Sequence, residues 1–180
     1  MISSYALIID NNNNIIGCHK WADSTLMDMS SNEIECTFEQ AQNPMMYCVV
    51  NGQVVESLTA AKAAQILVLQ SSYQGAVNAP VTFKNAAGVT STYPSGSTIL
   101  KNGMKAKDLL SNILSAGSSA WTLGKWLDTN NVAQTFTFAD LQGLSGAMES
   151  AITLDWTDLI QKIDQVNNAT SVSAVKAITF

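Results

Sequence analysis

Over the last third of the chain, large apolar residues recur at steps of three and four: Leu141, Leu144, Met148, Ile152, Trp156, Leu159, Ile163 and Val166. Side chains so spaced line one face of an α-helix, whereas a half-buried strand would alternate at every second residue. Ahead of them, Thr137 and Asp140 have the spacing of a helix N-cap, in a weakened form of the capping box, whose usual partner is Glu or Gln. The pattern predicts a long amphipathic helix closing the chain. A striped helix docks against something, so these residues are the candidate interaction face.

Upstream, strand and turn signals dominate. Tyr5 to Ile9, the turn run Asp10-Asn11-Asn12-Asn13-Asn14 and a second apolar run from Ile15 predict a hairpin. Asp23 to Gln42 is polar, with one short strand expected at Ile34 to Phe38. Met45 to Val50, then Asn51-Gly52, then Gln53 to Glu56 predicts a second hairpin, because Asn-Gly supplies the positive φ angles of a tight turn. A helix is expected from Thr59 to about Val77, with Ile66, Leu69, Tyr73 and Val77 on one face. A hairpin follows at Val81–Phe83 and Val89–Tyr93, then a helix through Met104, Leu109, Leu110, Ile113 and Leu114, closed by Gly117. Trp121 to Leu127 alternates like a strand, Val132 to Phe136 extends again, and a short helix is expected at Ser171 to Ile178. The fold class is therefore α+β: residues 1–57 as a small β-rich N-terminal unit of hairpins, and residues 58–180 as a mixed helix and hairpin domain.

Charge narrows the functions available. Only 13% of residues are charged, the net charge is −5, and all nine basic residues are lysine. Arginine is the preferred fork for phosphates and base edges, and the lysines are scattered, so nucleic acid is not an expected partner. Clusters of basic residues for an anionic membrane surface are lacking too, and no apolar run is long enough to span a bilayer. The opening ten residues lack a basic n-region and read as a strand rather than a signal peptide. Cys18, Cys36 and Cys48 are odd in number and irregularly spaced, which suits reduced thiols better than a disulfide framework.

The residue types of common catalysts are present but not in their patterns. His19 is the one histidine; beside Cys18 it invites a zinc site, yet there is no close cysteine pair, and buried thiols with a surface imidazole are the plainer reading. Gly143-Leu144-Ser145-Gly146 lacks the final glycine of a nucleophile turn, because position 147 is Ala. Gly117 to Lys125 misses the spacing of a phosphate loop. Asp155 and Asp158 lie a helical turn apart, where solvated carboxylates are the ordinary reading. The aromatics Tyr47, Tyr73, Tyr93, Trp21, Trp121, Trp126 and Trp156 are spread through the chain, which favours core packing over a sugar platform. No enzyme activity, cofactor or metal is expected.

From about Leu67 onward the chain resembles a C-terminal domain of tailed-bacteriophage tail-fibre-like proteins. The pattern consists of Trp126 with Asp128-x-Asn130, then Thr137-x-x-Asp140-Leu141, Gln161-Lys162 and Ala174-Val175-Lys176-Ala177-Ile178. The hairpin Tyr47-Cys48-Val49-Val50-Asn51-Gly52-Gln53-Val54 is similar to one in short phage tail proteins. The resemblance implies a structural part of a phage tail, associated with baseplate or fibre, made in the host bacterial cytoplasm and carried in the virion. It implies contacts with other tail proteins and self-association, a trimer being the common form in fibres. An assembly chaperone for the fibre, or a tip binding host glycans, are the alternatives. No functional residue carries over from the resemblance.

Overall fold

The computed structural model describes residues 3–22 and 28–180. Met1, Ile2 and the Asp23–Met27 start of the polar stretch lie outside the described residues. The fold is mixed α+β, with short antiparallel hairpin sheets and a long helix near the C-terminal end. By their internal contacts the residues form two units, Met1–Val68 with Ile163–Thr179, and Leu69–Lys162 with Phe180. The division runs through two long helices rather than along the change from strand to helix patterning near Leu58.

In the first unit, strands β1 (Ser4–Ile9), β2 (Ile15–Trp21) and β3 (Glu33–Cys36) form a sheet in the order β2-β1-β3. The central strand buries Ala6 and Leu7 completely. Asp10 builds the β1–β2 turn: its carboxylate accepts the Asn12 and Asn14 N–H groups at 2.8 and 2.9 Å, and Asn13 takes φ 60°. The strand expected at Ile34 to Phe38 stops at Cys36 because Thr37 caps helix α1 (Phe38–Gln42) in a reciprocal box with Gln40. Strands β4 (Tyr47–Val50) and β5 (Gln53–Glu56) are joined by Asn51 and Gly52 at φ 52° and 76°, the left-handed geometry their turn requires. Helix α2 (Leu58–Ala76) contributes its first part here. Helix α5 (Val172–Lys176) is capped by Ser171, and its Lys176 pairs with Glu56 at 2.6 Å.

The second unit packs two hairpins against two further helices and the rest of α2. Strands β6 (Val81–Lys84) and β7 (Thr90–Tyr93) pair so that Val81 opposes Tyr93. Helix α3 (Ala106–Ala116) ends at Gly117, whose φ of 85° lets the chain leave the helix. Strands β8 (Lys125–Leu127) and β9 (Ala133–Thr135) precede helix α4 (Phe138–Asn168), which runs unbroken for 31 residues. Tyr93, Leu110, Trp126, Phe136, Leu141, Leu144 and Met148 form the core. Its aromatic centre is edge-on, with Tyr93 and Phe136 centroids 5.2 Å apart. A strand over the whole of Trp121 to Leu127 does not form. Trp121 ends a 3-10 turn, its indole N–H donates to the Phe136 carbonyl at 2.8 Å, and Gly124 at φ 66° breaks the extension, so β8 begins only at Lys125.

Candidate interaction surface

The stripe predicted on α4 divides between interior and surface. Leu141, Leu144 and Met148 are core of the second unit, and Leu159 and Val166 are also buried. Ile152 and Ile163 are half-buried. Trp156 stays 51% exposed, its ring edge-on to Tyr73 at 5.7 Å, and Ile160 one turn later is 50% exposed. Five of the candidate residues are thus already spent on holding the chain together, while Trp156 with Ile160 stays an exposed apolar pair one turn apart. Leu154 is 70% exposed but lies around the helix from Trp156, two residues and about 200° away.

A second apolar surface lies in the second unit, and no sequence pattern announced it. A groove of about 530 Å³ is lined by Leu109 and Ile113 of α3, by the segment Thr98 to Asn102, and by Trp121, Leu123 and β8. Leu123 is 73% and Ile99 66% exposed, a costly state for large aliphatic side chains clustered together. Trp121 and Trp126 line it with centroids 6.3 Å apart, although Trp126 itself is only 6% exposed and belongs to the core. Lys101 and Lys125 are its charged groups besides Asp128.

Asp128 is fully engaged. One carboxylate oxygen accepts the N–H groups of Asn130 and Val132, each at 2.9 Å; the other accepts Ser91 Oγ at 2.9 Å and Gln134 Nε2 at 3.0 Å. The Val132 N–H does most to hold its carboxyl below the usual range; burial opposes this, and Gln134, Ser91 and Asn130 add to it. Its role is to shape the β8–β9 turn. Asp140 is similar: burial pushes its carboxyl up, but bonds from Thr137 and from the Ala86 N–H outweigh burial and leave it low. The buried hydroxyl of Tyr93 has no hydrogen-bond partner among the described residues; burial first, then the charges of Asp128 and Asp140, push its pKa up.

The remaining candidates for chemistry do not assemble. Exposed His19 pairs with buried Glu33, whose other oxygen accepts the Ser30 N–H at 2.9 Å. Cys18, Cys36 and Cys48 are free thiols but not interior ones as the sequence suggests: Cys18 is exposed and the other two half-buried; burial raises the Cys36 pKa, with Cys18 and Glu35 adding to it. Asp155 and Asp158 lie half-buried along α4. Among the described residues no three His, Cys, Asp or Glu side chains gather as a cation site. No described helix is long and apolar enough to cross a membrane. No family model matches the chain, and neither a curated protein nor a solved structure does.

Proposed function

We propose that this chain is a structural component of a bacteriophage tail, associated with baseplate or fibre, that works by protein–protein contact and catalyses nothing. The observation that carries the reading is the set of large apolar side chains the fold leaves in solvent, Trp156 and Ile160 on α4 and Leu123 and Ile99 at the groove, on a chain with few charges to keep it dispersed. Surfaces of this kind are costly unless covered, and a particle covers them with neighbouring proteins or with further copies of the same chain. The resemblance of the Trp126 to Leu141 segment and of the Tyr47 to Val54 hairpin to tail proteins supports the same reading. On it, the chain is made in the host cytoplasm, resides in the virion tail and self-associates, with a trimer as the form common in fibres.

Quantitative mass spectrometry of purified particles from the encoding phage tests this. A fixed integer copy number per tail is expected; absence from particles, with presence in infected lysate, would instead make the chain an assembly chaperone. Truncation before Phe138 is a poor companion test, because it strips Leu141, Leu144 and Met148 from the core. The paired variant Trp156→Ser with Ile160→Ser leaves those residues in place and should lower incorporation. A host-glycan tip is tested at half-exposed Trp121, not at Trp126, where truncation would cost about 3–5 kcal/mol of core packing.

A further inference from the structure

The groove of the second unit is bounded by a strand edge, and the hydrogen bonds identify which one. The β8–β9 sheet has two strands, so each strand has one unpaired edge. Gly124 accepts the Phe136 N–H at 2.8 Å and Asp128 donates to Val132 at 3.0 Å, while Trp126 opposes Gln134. In an antiparallel ladder the hydrogen-bonded pairs alternate, so the backbone groups of 124, 126 and 128 face β9 and those of Lys125 and Leu127 face away. No described backbone group pairs with them. Lys125, Trp126 and Leu127 all line the groove. A strand presenting a face would offer only alternate residues, so β8 meets the groove edge-on.

We propose that this groove receives an extended peptide segment of a partner protein, added as a third strand to the free edge of β8, with apolar and acidic residues in alternation. This deepens the contact-based reading and rests on it in taking the occupant to be a polypeptide. The register sets the chemistry. Residues of the added strand on the Trp126 side enter the apolar groove beside Leu109, Ile113 and Trp121. Those on the other side lie beside Lys125, where an acidic cross-strand neighbour is favoured and a basic one repelled. Lys101 and Lys125 against the single acid Asp128 give the lining a positive balance within a chain of net charge −5. Main-chain bonds supply affinity and the alternate side chains supply choice, as in strand addition generally.

The test uses the full chain, isotope-labelled, titrated with the acetylated and amidated pentapeptide Leu-Glu-Leu-Glu-Leu and followed by amide and indole resonances. Saturable shifts centred on the Lys125 and Leu127 amides and the Trp121 indole are expected. N-methylation of the alternate peptide amides that face β8, or replacement of both glutamates by lysine, should weaken binding about fivefold or more. Lys125→Glu, at an exposed position, should reverse the preference between the acidic and basic peptides. Absence of saturable shifts, indifference to N-methylation, or binding of decanoate at these residues with none of the peptide would overturn the proposal. Particle composition would be untouched by any of these outcomes, so this failure and that of the tail assignment are separable.

Discussion

Gly143 and Gly146 are three residues apart in α4, and the fold treats them differently. A Cβ on Gly143 would come within 2.9 Å of the Cε2 and Cζ atoms of Phe83, whereas one on Gly146 would meet nothing within 4 Å. Replacing glycine by alanine inside a helix is worth about 1 kcal/mol in propensity. At Gly146 nothing opposes that gain, so Gly146→Ala is expected to raise stability by about 1 kcal/mol. At Gly143 the added methyl presses a ring already held against Tyr93 and Phe136, with centroids at 6.4 and 5.9 Å. Overpacking of this kind costs about 1–3 kcal/mol, so Gly143→Ala should be net destabilising by roughly 1 kcal/mol. Adding Phe83→Leu to that variant should recover part of the loss. Urea denaturation of the single and double variants decides it, and equal effects at the two glycines would refute the packing account. The Gly143-Leu144-Ser145-Gly146 run thus has a steric meaning where a motif search finds only an incomplete nucleophile turn.

At the level of elements, the start of α4 shows how a weak sequence signal becomes a firm structural one. The Thr137 N–H and hydroxyl both donate to Asp140 Oδ2 at 2.7 Å, and the Asp140 N–H returns a bond to Thr137 Oγ1 at 3.1 Å. Asp140 Oδ1 also accepts the Ala86 N–H at 2.7 Å, tying the β6–β7 turn to the helix start. Thr137→Ala should therefore cost about 1 kcal/mol, as cap losses do, and Asp140→Ala about 2–3 kcal/mol, because it also strips the Ala86 N–H of its partner. Thermal midpoints of the two variants check the ordering, and equal losses would mean the tie to Ala86 contributes nothing. Helices and hairpins were legible because periodicity and turn chemistry are local: Asn51-Gly52, Gly117 and the 141–166 stripe each act where they stand. The Trp121–Gly124 segment was not, since its path depends on an indole bond to Phe136, fifteen residues on. Helix α1 carries a complete Thr37–Gln40 box, yet its five residues are too few for a periodic signal. Periodicity likewise could not separate buried Leu159 from half-exposed Trp156, because burial depends on which neighbours arrive. The groove was invisible for the same reason, its walls coming from segments about thirty residues apart.

For the molecule as a whole, the carboxylates that shape turns and caps link stability to pH in both units. Glu33 and Asp10 belong to the first unit, Asp128 and Asp140 to the second, and all four are held below the usual carboxylate range. For Glu33 the Ser30 N–H does most, with burial opposing and the Ser30 side chain and His19 adding; for Asp10 the Asn14 side chain leads. A carboxyl with a folded pKa below its unfolded value binds fewer protons when folded, so its contribution is complete above the unfolded value, about 4, and disappears as the pH falls through the folded one. Stability is thus expected to be flat from neutral down to about pH 5 and to decline steadily below about pH 4. Asp10, half-buried but with its turn bonds open to solvent, should contribute least, because solvent screens those bonds. Asp128→Asn keeps an oxygen for the Asn130 and Val132 N–H groups but carries no proton linkage. It should be less stable at neutral pH, where Ser91 and Gln134 lose their charged acceptor, and should show a shallower acid decline. Amide exchange across pH 3 to 6 should show the flattening at β8 and β9, the strands that Asp128 joins. An unaltered decline in the second unit of Asp128→Asn would show that its carboxylate is not what acid removes.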